Sequence, residues 1–96
     1  MRCAGKALLL ALLSLGCGKR VEPSECGLLL DHYVEILLRD DRPGSSAAEV
    51  LRLQEEARRK AETDPAFQEC TDRVSRRSFE CAMQAQDSRV LEMCLL

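Results

Sequence analysis

The stretch that decides the fold is residues 24–39, which read Ser24-Glu25-Cys26-Gly27-Leu28-Leu29-Leu30-Asp31-His32-Tyr33-Val34-Glu35-Ile36-Leu37-Leu38-Arg39. Its apolar side chains recur every three or four residues, which is the spacing of one helix face. These side chains are Cys26, Leu29, Leu30, Tyr33, Ile36 and Leu37, and Leu28, Val34 and Leu38 widen the face. We therefore predict a helix over residues 25–39, capped by Ser24, as the most buried helix of the protein. Pro43-Gly44 ends the segment in a loop.

A second helix is predicted over residues 46–62. Ser46 and Glu49 have the spacing of a capping box, in which the first and fourth residues bond each other's backbone. The inward side is expected to carry Val50, Leu51, Ala57 and Ala61. The charged side chains Arg52, Glu55, Glu56, Arg58, Arg59 and Lys60 are interpreted as a solvated face with pairs at i,i+4.

The remaining chain predicts two further helices. Asp64-Pro65 is a helix start, because Asp caps and Pro suits the first helical position. The helix is expected to continue to residue 84 or 85, with Phe67, Cys70, Val74, Ser78, Cys81 and Ala85 on one stripe. Asp87 then caps a short helix over residues 88–94 that carries Val90, Leu91 and Cys94 inward. With no strand-like run, the prediction is an all-α fold, a small bundle of three helices plus a short fourth, with antiparallel neighbours.

Helix geometry selects one disulfide pairing for Cys26, Cys70, Cys81 and Cys94. On a continuous helix Cys70 and Cys81 are about 16 Å apart, whereas a disulfide needs Cα atoms within about 7 Å. Cys81 and Cys94 lie on either side of the turn near residue 86. Their distances from this turn along the two antiparallel helices are similar. Cys26 and Cys70 both open their helices at the same end of the bundle. The predicted disulfides are therefore Cys26–Cys70 and Cys81–Cys94.

An export signal is predicted over residues 1–16. Arg2 and Lys6 precede the uncharged run Ala7-Leu8-Leu9-Leu10-Ala11-Leu12-Leu13-Ser14-Leu15-Gly16. A basic start, a short apolar run and small residues before a cleavage point are typical of a secretory signal peptide. The run is too short for a membrane-spanning helix, which needs about 20 apolar residues. The alternative is a buried N-terminal helix, for which the rest of the chain offers little apolar cover.

Cys17 is the candidate lipidation site. Leu13-Ser14-Leu15-Gly16-Cys17 resembles the bacterial lipobox, in which the cysteine sulfur receives a diacylglyceryl group and becomes the mature N-terminus. The departure is Ser14, where that motif usually carries Leu. Cysteine parity favours lipidation independently: of the six cysteines, Cys3 leaves with the signal, and lipidation of Cys17 leaves four that can pair. Ser14-Leu15-Gly16 also suits an ordinary signal peptidase, which would release the protein without a lipid.

The mature chain is predicted to consist of a lipid-anchored tether, residues 17–23, and a helical domain, residues 24–96. Two or more acyl chains anchor a protein stably. The lipobox resemblance implies an exported protein held in the cell envelope. Gly18, in place of Asp, resembles the outer-membrane default of enteric bacteria, with the domain facing the periplasm. A domain this small commonly needs disulfides.

Composition and charge disfavour nucleic-acid binding and stacking sites for sugars or nucleotides. Loss of Arg2 and Lys6 reduces the basic residues from 14 to 12 against 16 acidic ones, a mature net charge of about −4. This disfavours nucleic-acid binding, which uses a basic surface. The chain has no Trp, one Tyr and two Phe, so a stacking site for sugars or nucleotides is not expected. No cofactor, metal site or small-molecule substrate is predicted.

The ionisable residues of the predicted helices form no convincing catalytic set. His32, the one histidine, is adjacent to Asp31, and neighbours at i,i+1 on a helix do not face each other. A partly exposed His32 is expected. The carboxylates that could in principle act as an acid and a base are Glu25, Asp31, Glu35 and Glu80. The chain has no Cys-x-x-Cys redox motif, and the expected activity is not enzymatic.

Several short segments resemble small uncharacterised lipoproteins of myxobacteria and related bacteria. They are Phe67-Gln68-Glu69-Cys70, Cys81-Ala82-Met83-Gln84-Ala85 and Leu91-Glu92-Met93-Cys94-Leu95, and the likeness extends back to Glu25-Cys26. The resemblance implies a bacterial envelope protein with paired cysteines and carries no activity. We expect an envelope protein that acts by contact with another envelope protein. The alternative is a freely secreted or periplasmic small binding protein or inhibitor.

Overall fold

The computed structural model describes residues 20–96. The predicted signal segment, Cys17 and the first residues of the tether lie outside the described residues. The described chain forms six helices: α1 (Pro23–Asp41), α2 (Ala47–Ala61), α3 (Pro65–Gln68), α4 (Cys70–Arg73), α5 (Arg76–Gln84) and α6 (Ser88–Cys94). Residues 20–96 contain no strand, so the predicted all-α fold is confirmed for this part of the chain.

Helix α1 is the central element, and α2, α4, α5 and α6 all pack against it. It begins two residues earlier than predicted, because Glu22 and not Ser24 is its N-cap and Pro23 takes the first helical position. The backbone N–H of Glu22 donates to Glu25 Oε1 at 2.9 Å. Pro at this position costs nothing, since the N–H it lacks would have no partner inside the helix.

The core lies between α1 and the C-terminal half of the domain. Its buried side chains are Val21, Cys26, Leu29, Ile36, Cys70, Phe79, Ala82, Ala85 and Leu91. Val21, which the sequence analysis placed in the tether, is only 2% exposed. The folded part of the chain therefore includes Val21 and Glu22.

Helix α2 runs antiparallel to α1, and ion pairs near both ends of α2 fix it to the middle and the C-terminal end of α1. At the middle of α1, the Arg58 guanidinium donates to both carboxylate oxygens of Asp31, at 2.9 and 2.6 Å. At the C-terminal end of α1, Arg42 donates to Glu49 at 2.8 Å. Gly27 lets the Arg58 side chain lie against the α1 backbone, since a Cβ there would come within 3.0 Å of it. Arg58 therefore contacts α1, although its side chain is still 47% exposed as part of the predicted solvated face.

The continuous third helix predicted for residues 65–85 is wrong. The chain there forms α3, α4 and α5, and Val74 and Ser75 between α4 and α5 are extended. Ser75 Oγ accepts the backbone N–H of Ser78 at 3.0 Å and so caps a new helix. A side-chain acceptor at this position satisfies one of the unpaired N–H groups of the first turn. The break redirects α5, which buries Phe79 and Ala82 instead of the predicted Ser78 and Cys81.

Other local predictions have mixed outcomes. The predicted caps Ser46, Asp64 and Asp87 each accept a backbone N–H from the first turn of their helix. The capping box at Ser46 is only half formed, because the Glu49 carboxylate bonds Arg42. Several apolar side chains predicted to face inward are exposed instead: Leu28, Leu37, Leu51 and Val90.

Candidate functional site

Both predicted disulfides are present and fasten the C-terminal half of the domain. Cys26 of α1 is joined to Cys70 of α4 with their Cα atoms 6.3 Å apart. Cys81 of α5 is joined to Cys94 of α6 with their Cα atoms 5.7 Å apart. The predicted pairing is confirmed, although the continuous helix used to derive it is interrupted. All four cysteines within residues 20–96 are therefore in disulfides.

Beside the Cys26–Cys70 disulfide lies an open depression of about 500 Å³, which we call the apolar groove. Helix α1 forms one wall, α3 and α4 form the opposite wall, and α6 with the last residues closes one end. The lining residues are Cys26, Leu29, Leu30, Tyr33, Asp64, Ala66, Phe67, Cys70, Arg73, Val74, Leu91, Glu92, Leu95 and Leu96. Its volume is within the range of about 300–1,000 Å³ that is usual for small-molecule sites.

The break between α4 and α5 helps to form this groove. Val74 lies at the break with extended backbone angles and contributes to the groove wall. At the base, Leu91 of α6 is 1% exposed and joins the groove to the core. Cys26 and Cys70, themselves buried, hold the two walls at a fixed separation. A rigid wall spacing is what a preformed binding site requires.

The four ionisable side chains on the groove rim, Tyr33, Asp64, Arg73 and Glu92, are already engaged. The Tyr33 hydroxyl donates to Glu92, and this hydrogen bond to a carboxylate raises the pKa of Tyr33, with burial as a second cause. Arg73 pairs with Glu69 at 2.8 Å, and Asp64 accepts the backbone N–H of Ala66. The groove therefore presents apolar walls with a rim of neutralised or bonded polar groups.

A second polar cluster fixes the start of the described chain against α5. The Arg76 guanidinium donates to both oxygens of Glu25, at 2.9 and 2.8 Å, and also to the carbonyl of Arg20 at 3.2 Å. It lies over the Phe79 ring, 5.5 Å from its centroid. The hydrogen bonds to Glu25 raise the pKa of Arg76, so this cation stays protonated. Arg20 in turn forms an ion pair with Asp72 of α4.

The side chains considered for catalysis bond to different parts of the fold. The His32 ring is within 3.0 Å of the carbonyl of Ala85, so Nε2 donates there. His32 is partly exposed, as expected, and it does not pair with Asp31, whose carboxylate holds Arg58. Glu25 is bound by Arg76, and Glu35 lies 3.8 Å from Arg39. Hydrogen bonding to Asp31 also raises the pKa of Arg58, which keeps that pair charged.

A shallower depression lies between α1 and α2 and shares no lining residue with the groove. We call it the hairpin depression; its volume is about 270 Å³ and it is lined by Val34, Leu37, Leu38, Leu53, Glu56, Ala57 and Lys60. Leu37 is 40% exposed there. Leu37 is 14 residues after the start of α1, so it lies about 21 Å along the helix axis from the beginning of the folded chain.

Three negative findings apply to the described residues or to the chain as a whole. None of the helices in residues 20–96 is long and apolar enough to cross a membrane. No cluster of three or more metal-ligating side chains occurs in the same range. Comparison of the chain with protein-family models, with characterised proteins and with solved structures found no match. The resemblance to myxobacterial lipoproteins stays a prediction.

Sequence reasoning found the disulfides but neither depression. The groove combines side chains from α1, α3, α4 and α6, and its shape depends on the break after Val74. The one local signal for that break was Ser75, a good N-cap residue three positions before Ser78. No comparable signal pointed to the pairing of Arg76 with Glu25, which are 51 residues apart.

Proposed function

We propose that this chain is a lipid-anchored cell-envelope protein that acts by contact with another envelope protein. The observation that carries the proposal is the use of all four domain cysteines in two disulfides. Disulfides persist in oxidising compartments outside the cytosol. With these four paired, Cys17 is the cysteine of the proposed mature chain that remains for attachment of a lipid.

The beginning of the folded chain also suits an anchor at Cys17. Val21 is buried and the Arg20 carbonyl is bonded to Arg76, so the domain is fixed from these residues onward. Three peptide steps separate Cys17 from Arg20 and span at most about 11 Å. An anchored domain would therefore be held at the membrane surface by its α1 N-terminal end.

For the protein contact we propose the hairpin depression, which would point away from that end. Its apolar side chains are flanked by the charged residues Glu56 and Lys60. Protein–protein interfaces have the same arrangement, an apolar centre with a polar rim. The paired carboxylates and the bonded His32 leave this domain better suited to binding than to acid–base chemistry.

Mass spectrometry of the mature N-terminus tests the anchor. The full chain is expressed in a bacterium that processes lipoproteins, and the membrane fraction is analysed beside a Cys17→Ser variant. We expect the chain to begin at Cys17 with diacylglyceryl and acyl groups, and the variant to leave the membrane fraction. A mature protein with an unmodified Cys17 would refute the anchor and favour the freely secreted binding protein.

Site-directed crosslinking tests the contact surface. A photoreactive residue in place of Leu37 should yield a crosslinked envelope protein, and Leu53→Glu should abolish that product. The matched control is Leu51→Glu, because Leu51 is 62% exposed on the same helix and does not line the depression. Equal loss with both variants, or a product that both leave intact, would contradict the assignment.

A further inference from the structure

The apolar groove lies beside the point where the described chain begins. Arg20 pairs with Asp72, and the next two residues of the chain, Arg73 and Val74, line the groove. The Arg20 carbonyl is held by Arg76 and the adjacent Val21 is buried, so this position is fixed. A group attached three residues earlier, at Cys17, starts within about 11 Å of Arg20.

The chemistry of the groove fits an uncharged hydrocarbon chain. Its walls are built from Leu29, Leu30, Phe67 and Val74, with Leu91 at the base. Arg73, the cation on the rim, is paired with Glu69, and the Glu92 carboxylate accepts from Tyr33. The carboxylate of a free fatty acid would need a cation at this rim, and Arg73 is already paired with Glu69. An acyl chain held in an ester or amide brings no such charge.

We infer that the groove binds one acyl chain of the lipid on Cys17 of the same molecule. The inference rests on the proposed lipidation and adds a binding site for it. The short connection makes binding intramolecular, with an effective concentration in the range of about millimolar that short tethers give. The bound chain covers apolar side chains that otherwise face water. The other acyl chain or chains of the lipid remain in the bilayer.

An acyl chain in the groove would give the two depressions of the domain different roles. The groove is formed by α1, α3, α4 and α6, whereas the hairpin depression is formed by α1 and α2. Filling the groove with the protein's own acyl chain leaves the hairpin depression exposed for a partner. It also fixes which face of the domain lies toward the membrane.

Photocrosslinking from the acyl chain tests the inference. The full chain is expressed in lipoprotein-processing bacteria supplied with a fatty acid that carries a terminal diazirine. Membranes are irradiated, and the crosslinked peptides of the purified protein are mapped by mass spectrometry. We expect crosslinks within one molecule from the Cys17 lipid to groove residues such as Leu30, Phe67 or Leu91.

A matched pair of tryptophan variants locates the chain. Leu30→Trp fills the groove and should remove most of the intramolecular crosslink, whereas Leu28→Trp should retain it. Leu28 is on the same helix, 50% exposed, and outside the groove lining. The residues crosslinked in the unsubstituted chain identify the site independently if Leu30→Trp fails to fold.

The outcomes distinguish this inference from the proposed function. Label on Cys17 with crosslinks only to membrane lipids, to a second copy or to residues outside the groove would overturn the inference and leave the anchor standing. Equal crosslinking in both tryptophan variants would also overturn it. Absence of label from Cys17 would overturn the proposed anchor together with the inference.

Discussion

Removal of each disulfide should cost a different amount of stability, because the two bonds close loops of different length. The sequence separation is 44 residues for Cys26–Cys70 and 13 residues for Cys81–Cys94. Loop-closure entropy in the unfolded chain then gives a stabilisation of about 4 kcal/mol for the first bond and about 3 kcal/mol for the second at 25 °C. Cys26 and Cys70 are buried while Cys81 is exposed, so loss of the first bond also leaves a cavity in the core.

The measurement is urea unfolding followed by far-ultraviolet circular dichroism. The background is a Cys17→Ser chain, and the two variants are Cys26→Ala/Cys70→Ala and Cys81→Ala/Cys94→Ala. A domain of this size has a free energy of unfolding of roughly 4–12 kcal/mol at 0.05–0.15 kcal/mol per residue. Both losses are a large fraction of this range, so both variants should unfold at lower urea concentrations than the background, and the first variant at the lower concentration of the two.

The same experiment can refute the reasoning. If the variant without Cys81–Cys94 is the less stable one, loop closure and core burial do not determine the ranking. A loss below about 1 kcal/mol for either variant would mean that the unfolded chain is already restricted without the bond.

Three further predictions concern the helix ends, the groove rim and the first buried side chain. Ser75→Ala should reduce the free energy of unfolding by about 1 kcal/mol, because it removes the cap of α5, whereas Ser24→Ala should change it by less than about 0.5 kcal/mol; equal effects in urea unfolding would contradict the observed caps. The pKa of Tyr33 lies above the ordinary value of about 10, so the stability contributed by its neutral form is complete below pH 10 and is lost as pH rises through the raised pKa. Glu92→Gln should lower this pKa in an ultraviolet titration of the phenol, and an unchanged titration would show that Glu92 is not the cause. Val21→Ala should cost about 2 kcal/mol in the same urea assay, from lost burial and the cavity left behind; a neutral result would return Val21 to the tether.

Local chemistry allowed several features of this fold to be predicted from sequence. Ser46, Asp64 and Asp87 are helix caps because their side chains reach backbone N–H groups two or three residues away, whatever the rest of the chain does. The disulfide pairing followed from which helix ends meet. The predicted Cys26–Cys70 pairing is correct despite the break at Val74, because the N-terminal ends of α1 and α4 still lie close together.

Features that depend on several elements at once could not be predicted in this way. The periodic stripe from Phe67 to Ala85 suggested one helix, yet the Ser75 cap and the burial of Phe79 favour a change of direction. The periodic spacing of apolar residues shows which side chains could share a helix face. It does not show whether the helix is continuous. The groove is lined by side chains of α1, α3, α4 and α6 together, and so no single stretch of sequence encodes it.

The burial of Val21 changes what the N-terminal segment can do. A flexible tether from residue 17 to residue 23 would let the domain turn freely over a membrane. With Val21 buried and Arg20 bonded to Arg76, the domain is fixed from Arg20 onward, three residues after Cys17. The effective concentration of a tethered group rises as its connection shortens toward the span to be bridged. A lipid on Cys17 would therefore be presented repeatedly to the same face of the domain, the face that carries the apolar groove, and the direction of the hairpin depression would follow from that constraint.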